Sequence, residues 1–165
     1  MTEMVVEWGG MPVRLTWVNS SCLPEAGRIT SVHGFCFKDS RLMMVELKHR
    51  GWDFPGGHLE PRENPEDCLQ RELMEEGYVE GRFSLLGHVI VDHSINSHWV
   101  DGGKYPKVGY QVFYRVDIEH LYPHKAEYEA LRRIFLEVDE AAKLHHGWSP
   151  LYDEIFGAAI ALRES

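Results

Sequence analysis

The sequence predicts one mixed α/β domain in which helices cover both faces of a β-sheet. Three observations predict it. Apolar runs rich in β-branched and aromatic residues fill the first part of the chain and return after residue 83. One sharply punctuated helical segment lies between them, and two further helical segments close the chain. The length of 165 residues suits one compact core, and without linkers, repeats or low-complexity stretches residues 1–165 read as a single domain.

The elements follow in order. Val13–Val18 alternates loosely, Ile29–Phe37 is rich in β-branched and aromatic side chains, and Leu42–Leu47 is another apolar run. The breaker cluster WDFPGG, Trp52–Gly57, ends this pattern. A helix is expected next. Asn64 suits its N-cap, Pro65 its first position, Glu66 and Asp67 its electropositive first turn, and Gly77 its stop. Cys68, Leu69 and Leu73 supply a short apolar stripe. Strands are expected at Phe83–Val91, Val108–Val116 and Arg132–Leu136, with a polar, glycine-bearing loop, Ser94–Lys107, between the first two. Helices are expected at Asp139–His145 and Pro150–Arg163, with His145 and His146 read as a solvated helix end.

Charge and composition narrow the function. A formal charge of −9 argues against binding long nucleic acid, which needs a basic patch to neutralise phosphates. An acidic protein can still bind a polyphosphate if divalent cations sit between them. Cys22, Cys36 and Cys68 form no CxxC pair and are odd in number, so reduced thiols are expected. MTEMVVEWGG has no basic segment leading into an apolar run, and no uninterrupted apolar stretch of about 18 residues occurs. No membrane association and a cytoplasmic location are therefore expected.

The segment Gly57–Val79 carries the chemistry. Glu72, Glu75 and Glu76 stand at i, i+3 and i+4, so a regular helix puts them on one arc of about 100°. Acids at these spacings repel by a few tenths of a kcal/mol per pair. In a last turn they also oppose the helix dipole, at about 0.3–1 kcal/mol each. A hard divalent cation removes both costs. On residues alone, a solvated Glu-rich helix end is the commoner explanation.

The register of the segment changes that weighting. It resembles the Nudix box, Gly-x5-Glu-x7-Arg-Glu-U-x-Glu-Glu-x-Gly-U, with U a bulky apolar residue. Gly57, Glu63, Arg71, Glu72, Leu73, Glu75 and Glu76 all match without gaps, and the preceding WDFPGG is similar to the family's lead-in. One position departs: Tyr78 stands where the ungapped box has glycine, unless one residue is deleted and Gly77 takes that place. Keeping Val79 at the last apolar position favours the substitution.

The resemblance implies a Nudix-type α/β/α sandwich with a mixed sheet and a catalytic loop-helix-loop. It implies Mg²⁺ or Mn²⁺ held by Glu72, Glu75 and Glu76, with the Gly57 carbonyl as a further ligand. Arg71 is then the arginine that orients a box glutamate, and Glu63 supports the loop or meets a metal through water. For the general base, relatives use a box glutamate or one from a loop before the last strand. That loop offers Glu127 and Glu129, of which Glu129 has the more family-like spacing. Trp52 and Trp99 are candidates to stack on a base, and Lys104 and Lys107 to reach phosphate. His88, His93 and His98 recur at intervals of five, which suits no common metal-ligand spacing.

The implied activity is metal-dependent hydrolysis of a phosphoanhydride bond in a nucleoside diphosphate linked to another moiety. Spacings that mark ADP-ribose, diadenosine polyphosphate, NADH and coenzyme A hydrolases are missing, which favours a nucleoside triphosphate, including oxidised forms, giving monophosphate and pyrophosphate. The alternatives are a non-catalytic nucleotide-binding domain and a hydrolase of ADP-ribose or dinucleotides. The expected partner is thus a small nucleotide derivative; a homodimer is compatible with the sequence and not read from it.

Overall fold

The computed structural model describes residues 2–164, the last two by their backbone alone. Nine strands among them form one sheet. They are β1 (Glu3–Trp8), β2 (Met11–Asn19), β3 (Ile29–Lys38), β4 (Arg41–Leu47), β5 (Gly51–Asp53), β6 (Gly56–His58), β7 (Val79–Asp92), β8 (Val108–Leu121) and β9 (Ala130–Leu136). The helices are α1 (Pro65–Glu72), α2 (Val138–Leu144) and α3 (Pro150–Glu164). The strand order is β1-β2-β7-β8-β3-β4-β5, with β6 paired to β3 and β9 to β4. β3 and β8 run parallel and the other described pairs antiparallel, so the sheet is mixed.

Two apolar layers follow from the period of two along the central strands. Phe35 and Phe37 of β3 and Phe113 of β8 face one layer, where they meet Trp17, Val89, Ile155 and Phe156 under α3. Val32 and Cys36 of β3 and Val112, Tyr114 and Val116 of β8 face the other, against Cys68, Leu69 and Leu73. The helices thus cover both faces, which is the α/β/α sandwich expected. Leu69 and Leu73 are fully buried, and truncating such a side chain to alanine costs about 2–5 kcal/mol. Among the described residues, no helix is long and apolar enough to cross a membrane.

The structure departs from the expected elements in four places, the first being that the breaker cluster Trp52–Gly57 contributes to two short strands, β5 and β6. β1 went unpredicted because its residues are mostly exposed and it lies at the sheet edge, leaving only a faint apolar pattern. β7 begins at Val79 and β8 runs to Leu121, each longer than expected. Their extra residues pair with one another, so the ladder carries polar stretches that periodicity does not mark. Finally, His145 is buried and not a solvated helix end. Its Nε2 lies 2.8 Å from Asp53 Oδ1, and its ring stacks on Phe54 at 5.1 Å.

This last contact steadies the chain where it turns into Gly56–Gly57. Burial would raise the Asp53 carboxyl, but hydrogen bonds from His145 and from the Phe54 amide outweigh it and hold the group below its usual range. A carboxyl depressed in the fold stabilises above its unfolded pKa, and that stability is lost as pH falls through the folded value. We predict that His145→Ala costs about 1–3 kcal/mol at pH 7, because it leaves Asp53 half-buried without this partner. Denaturant titrations should show the gap from wild type shrinking below about pH 4 as Asp53 protonates. A gap of constant size down to pH 2 would contradict this account.

Candidate active site

The acidic segment is placed by a well-capped helix. The Asn64 side chain accepts a hydrogen bond from the Asp67 amide at 2.8 Å, and Pro65 occupies the first turn. Cys68 and Leu69 press the other side of α1 onto the sheet. The helix then widens into a π turn, Leu73–Gly77, a feature frequent at functional sites. This corrects the regular arc expected for the three acids. Glu76 turns inward and is 3% exposed, whereas the side chains of Glu72 and Glu75 are 15% and 35% exposed.

Tyr78 ends the turn at φ 55° and ψ 46°, the left-handed region that glycine adopts most readily. The residue at the place of the box glycine thus has a glycine-like backbone, in keeping with the ungapped reading. Val79 follows as a fully buried core residue.

Arg71 lies at the centre of the acids. Its Nε and Nη2 donate to Glu63 at 2.7 and 2.9 Å, a bidentate pair, and its Nη1 donates to Glu72 Oε1 at 2.8 Å. Glu75 and Glu60 lie at 3.6 and 3.8 Å. Nη2 also reaches the His58 carbonyl at 3.3 Å. The Arg71 hydrogen bond above all holds the Glu63 carboxyl down at about 2. Glu72 in turn lies over Gly57: a Cβ added there would come within 2.5 Å of Glu72 Oε1, so any side chain at this position would displace the carboxylate.

Glu76 stands apart from this ion pairing. Its Oε1 accepts the Gly56 amide hydrogen at 2.9 Å. Burial pushes its pKa up to about 8, helped by Glu72 and Glu129. The Glu72 carboxyl is also raised, first by burial and then by Glu75 and Glu129, against the opposing pull of Arg71. Glu129 precedes β9 and is tied to the sheet through its carbonyl, which accepts the Lys48 amide hydrogen at 3.0 Å. Its charge is felt, weakly, at both Glu72 and Glu76.

As the side chains stand, no three His, Cys, Asp or Glu among the described residues are arranged to hold a metal ion. The chemistry of the donors nevertheless fits a hard cation. Carboxylate oxygens converge on the Gly56–Gly57 turn, Arg71 is engaged by Glu63 and Glu72, and the buried Glu76 has an uncharged amide as its partner. A divalent cation would favour the ionised form that burial opposes.

A cavity of about 170 Å³ opens beside His58, the neighbour of Gly57, and is lined by Trp8, Thr30, His93, Tyr105 and Gln111 among others. Trp99 stacks on His93 at 4.5 Å, the Lys104 ammonium lies 5.4 Å from the Tyr105 ring, and the Tyr105 hydroxyl lies 3.4 Å from His58 Nε2. Trp99 and Lys104 therefore each back a residue that lines the cavity without lining it themselves. Trp52 is not brought there: it packs at the rim of the core beneath the Arg132 guanidinium, 5.1 Å from its ring. Sequence reasoning missed Trp8, His93 and Tyr105 as a group. Aromatics around a glycine-bearing loop were the only available signal, since Trp8 reaches the cavity through the unpredicted β1.

Comparisons with known proteins identify the fold. The NUDIX domain family model matches residues 28–155. A search of curated protein sequences returns no match. The fold is similar to that of the pyrophosphohydrolase BsRppH of Bacillus subtilis, crystallised as a mutant, with 20% identity, a TM-score of 0.71, and coverage of 99% of this chain and 97% of that one. It is also similar to a NUDIX hydrolase of Listeria monocytogenes, described as putative in function, at 16% identity, TM-score 0.60 and coverage of 82% and 94%. An ADP-ribose pyrophosphatase of Streptococcus suis gives 15% identity, TM-score 0.53 and coverage of 82% and 91%. With its box in register and the family model spanning most of its length, the chain belongs to the Nudix family of hydrolases.

Proposed function

We propose that this Nudix hydrolase cleaves a phosphoanhydride bond in a compound carrying a nucleoside diphosphate, with a nucleoside triphosphate, ordinary or oxidised, as its substrate. The observation that carries this reading is the buried Glu76 carboxylate beside Glu72 at the Gly56–Gly57 turn. Glu72, Glu75 and Glu76 would hold Mg²⁺ or Mn²⁺, with the Gly57 carbonyl as a further ligand. When bound, such a cation screens phosphate charge, polarises a phosphoryl oxygen and acidifies water.

The chain's own residues supply the remainder. Glu129 accepts the proton of the attacking water. Arg71 fixes the orientation of Glu72, and Glu63 fixes Arg71. The aromatic cavity gives a planar base a stacking surface, and Lys104 at its rim suits the charge of the phosphates. Its 170 Å³ has room for one base. Attack on the α–β linkage releases the monophosphate and pyrophosphate.

Three outcomes are expected. First, turnover stops in excess EDTA and returns with Mg²⁺ or Mn²⁺. The assay is a panel of nucleoside triphosphates, ADP-ribose and a dinucleotide, reading phosphate and pyrophosphate separately; undiminished hydrolysis in chelator would falsify the metal requirement.

Second, Glu76→Gln lowers kcat on the order of a hundredfold or more yet stabilises the metal-free protein. An acid raised to about 8 in the fold destabilises progressively as pH climbs from its unfolded pKa to that value. The variant should therefore gain on the order of 1–3 kcal/mol at pH 7, and nothing below about pH 4. Thermal melts in EDTA across this range decide the matter, and a melting point below wild type at pH 8 would refute it.

Third, Glu129→Gln slows turnover by about 10²–10⁴-fold with Mn²⁺ affinity nearly unchanged, Glu72→Gln weakens both, and Glu127→Gln resembles wild type. Rates and Mn²⁺ binding measured at one pH distinguish the three variants. Full activity in Glu129→Gln with a loss in Glu127→Gln would move the role of base to Glu127, and full activity in both would return it to the box.

A further inference from the structure

The residue that departs from the box is also the one that joins two parts of the site. Tyr78 stands in the glycine's place, is 7% exposed, and points its hydroxyl at the segment between β8 and β9. Its Oη accepts the Glu127 amide hydrogen at 3.1 Å. Its carbonyl accepts the Tyr122 amide hydrogen at 2.9 Å, and its ring lies 4.5 Å from that of His124. His124 Nε2 lies 3.0 Å from the Glu76 carbonyl, and Arg133 Nη1 donates to the carbonyls of Gly77 and Tyr78 at 2.7 and 3.1 Å.

These polar contacts have little packing to help them. A solvent-open groove of about 330 Å³ runs between the same segment and the helix end, bounded by Met74, Glu75, Tyr78, Tyr122 and Tyr128. Tyr122 and Tyr128 remain substantially exposed. A segment bordering an open groove is placed by its hydrogen bonds more than by burial, and Glu129, whose carbonyl is held by the Lys48 amide, stands two residues beyond the bonded amide. Glycine at position 78 would relieve the left-handed backbone but could offer neither ring nor hydroxyl.

We propose that Tyr78 is a positioning residue: its hydroxyl ties segment 122–129 to the exit of the catalytic helix and so sets where Glu129 stands. This rests on the assignment of Glu129 as the base. In Tyr78→Phe the ring remains and one hydrogen bond is lost. A displaced base lowers kcat by about 3- to 10-fold, the size of one net hydrogen bond, and leaves KM and Mn²⁺ affinity unchanged.

The test is a double-mutant cycle with Tyr78→Phe and Glu129→Gln, using the panel compound cleaved fastest, together with amide hydrogen exchange. The expected result is a kcat loss for Tyr78→Phe in the wild-type background and none in the Glu129→Gln background, with faster exchange at the Glu127 amide. Equal losses in both backgrounds, or a change confined to KM, would overturn the proposal. Unchanged exchange at Glu127 would overturn the tether itself, whatever the rates. A fault in the base assignment is read separately, as full activity of Glu129→Gln with Tyr78 intact.

Discussion

Arg71 has the carboxylates of Glu60, Glu63, Glu72 and Glu75 within 4.0 Å, while Glu76, one turn further on, has only the amide of Gly56. That imbalance between one fixed guanidinium and the acids around it governs the rest of the structure. The bidentate pair with Glu63 fixes Arg71, Arg71 fixes Glu72, and Glu72 covers Gly57 so closely that a side chain there would push the carboxylate aside. Glu76 is left buried and hard to ionise, which is the condition a divalent cation relieves. The fold holds this charge in place with neutral material: Cys68, Leu69 and Leu73 on one side, the β3–β6 pairing on the other.

The surrounding frame works through similar couplings at a distance. α2 ends on His145, which reaches back 92 residues to Asp53 and stacks on Phe54 just before the Gly56–Gly57 turn. Phe54 in turn meets Phe35 edge-on in the core beneath α3. The turn that receives Glu76 and Glu72 is thereby built into the same apolar layer that holds the C-terminal helix.

How much of this was legible depended on whether a feature was local. The box residues, the Asn64 cap and the α1 stripe lie within one short segment and could be read directly, as could the strands with strong apolar runs. The π turn could not, because a single widened turn leaves no mark in residue spacing, and it redirected Glu76 from a shared surface arc to the interior. His145 was misread as solvated because its partner lies far away in sequence. Trp52 and Trp99 were both candidates to stack on a base. Only the register of β4 with β5 and β9, which puts Trp52 beside Arg132, separates them.

The connection between β7 and β8, residues 93–107, supplies His93, Trp99, Lys104 and Tyr105 but contributes none of the box acids. Its ends are clamped by the hydrogen bond from the His93 amide to the Lys107 carbonyl at 2.8 Å. Lengthening a loop with fixed ends is thermodynamically cheap, about 0.6 kcal/mol for each doubling. Insertions here can therefore remodel the aromatic cavity while the carboxylate cage, closed within residues 56–76, keeps its geometry. On the proposed reading, the surface that receives the base and the carboxylates that would hold the metal are encoded in separate stretches of chain, so one can vary in sequence without rebuilding the other.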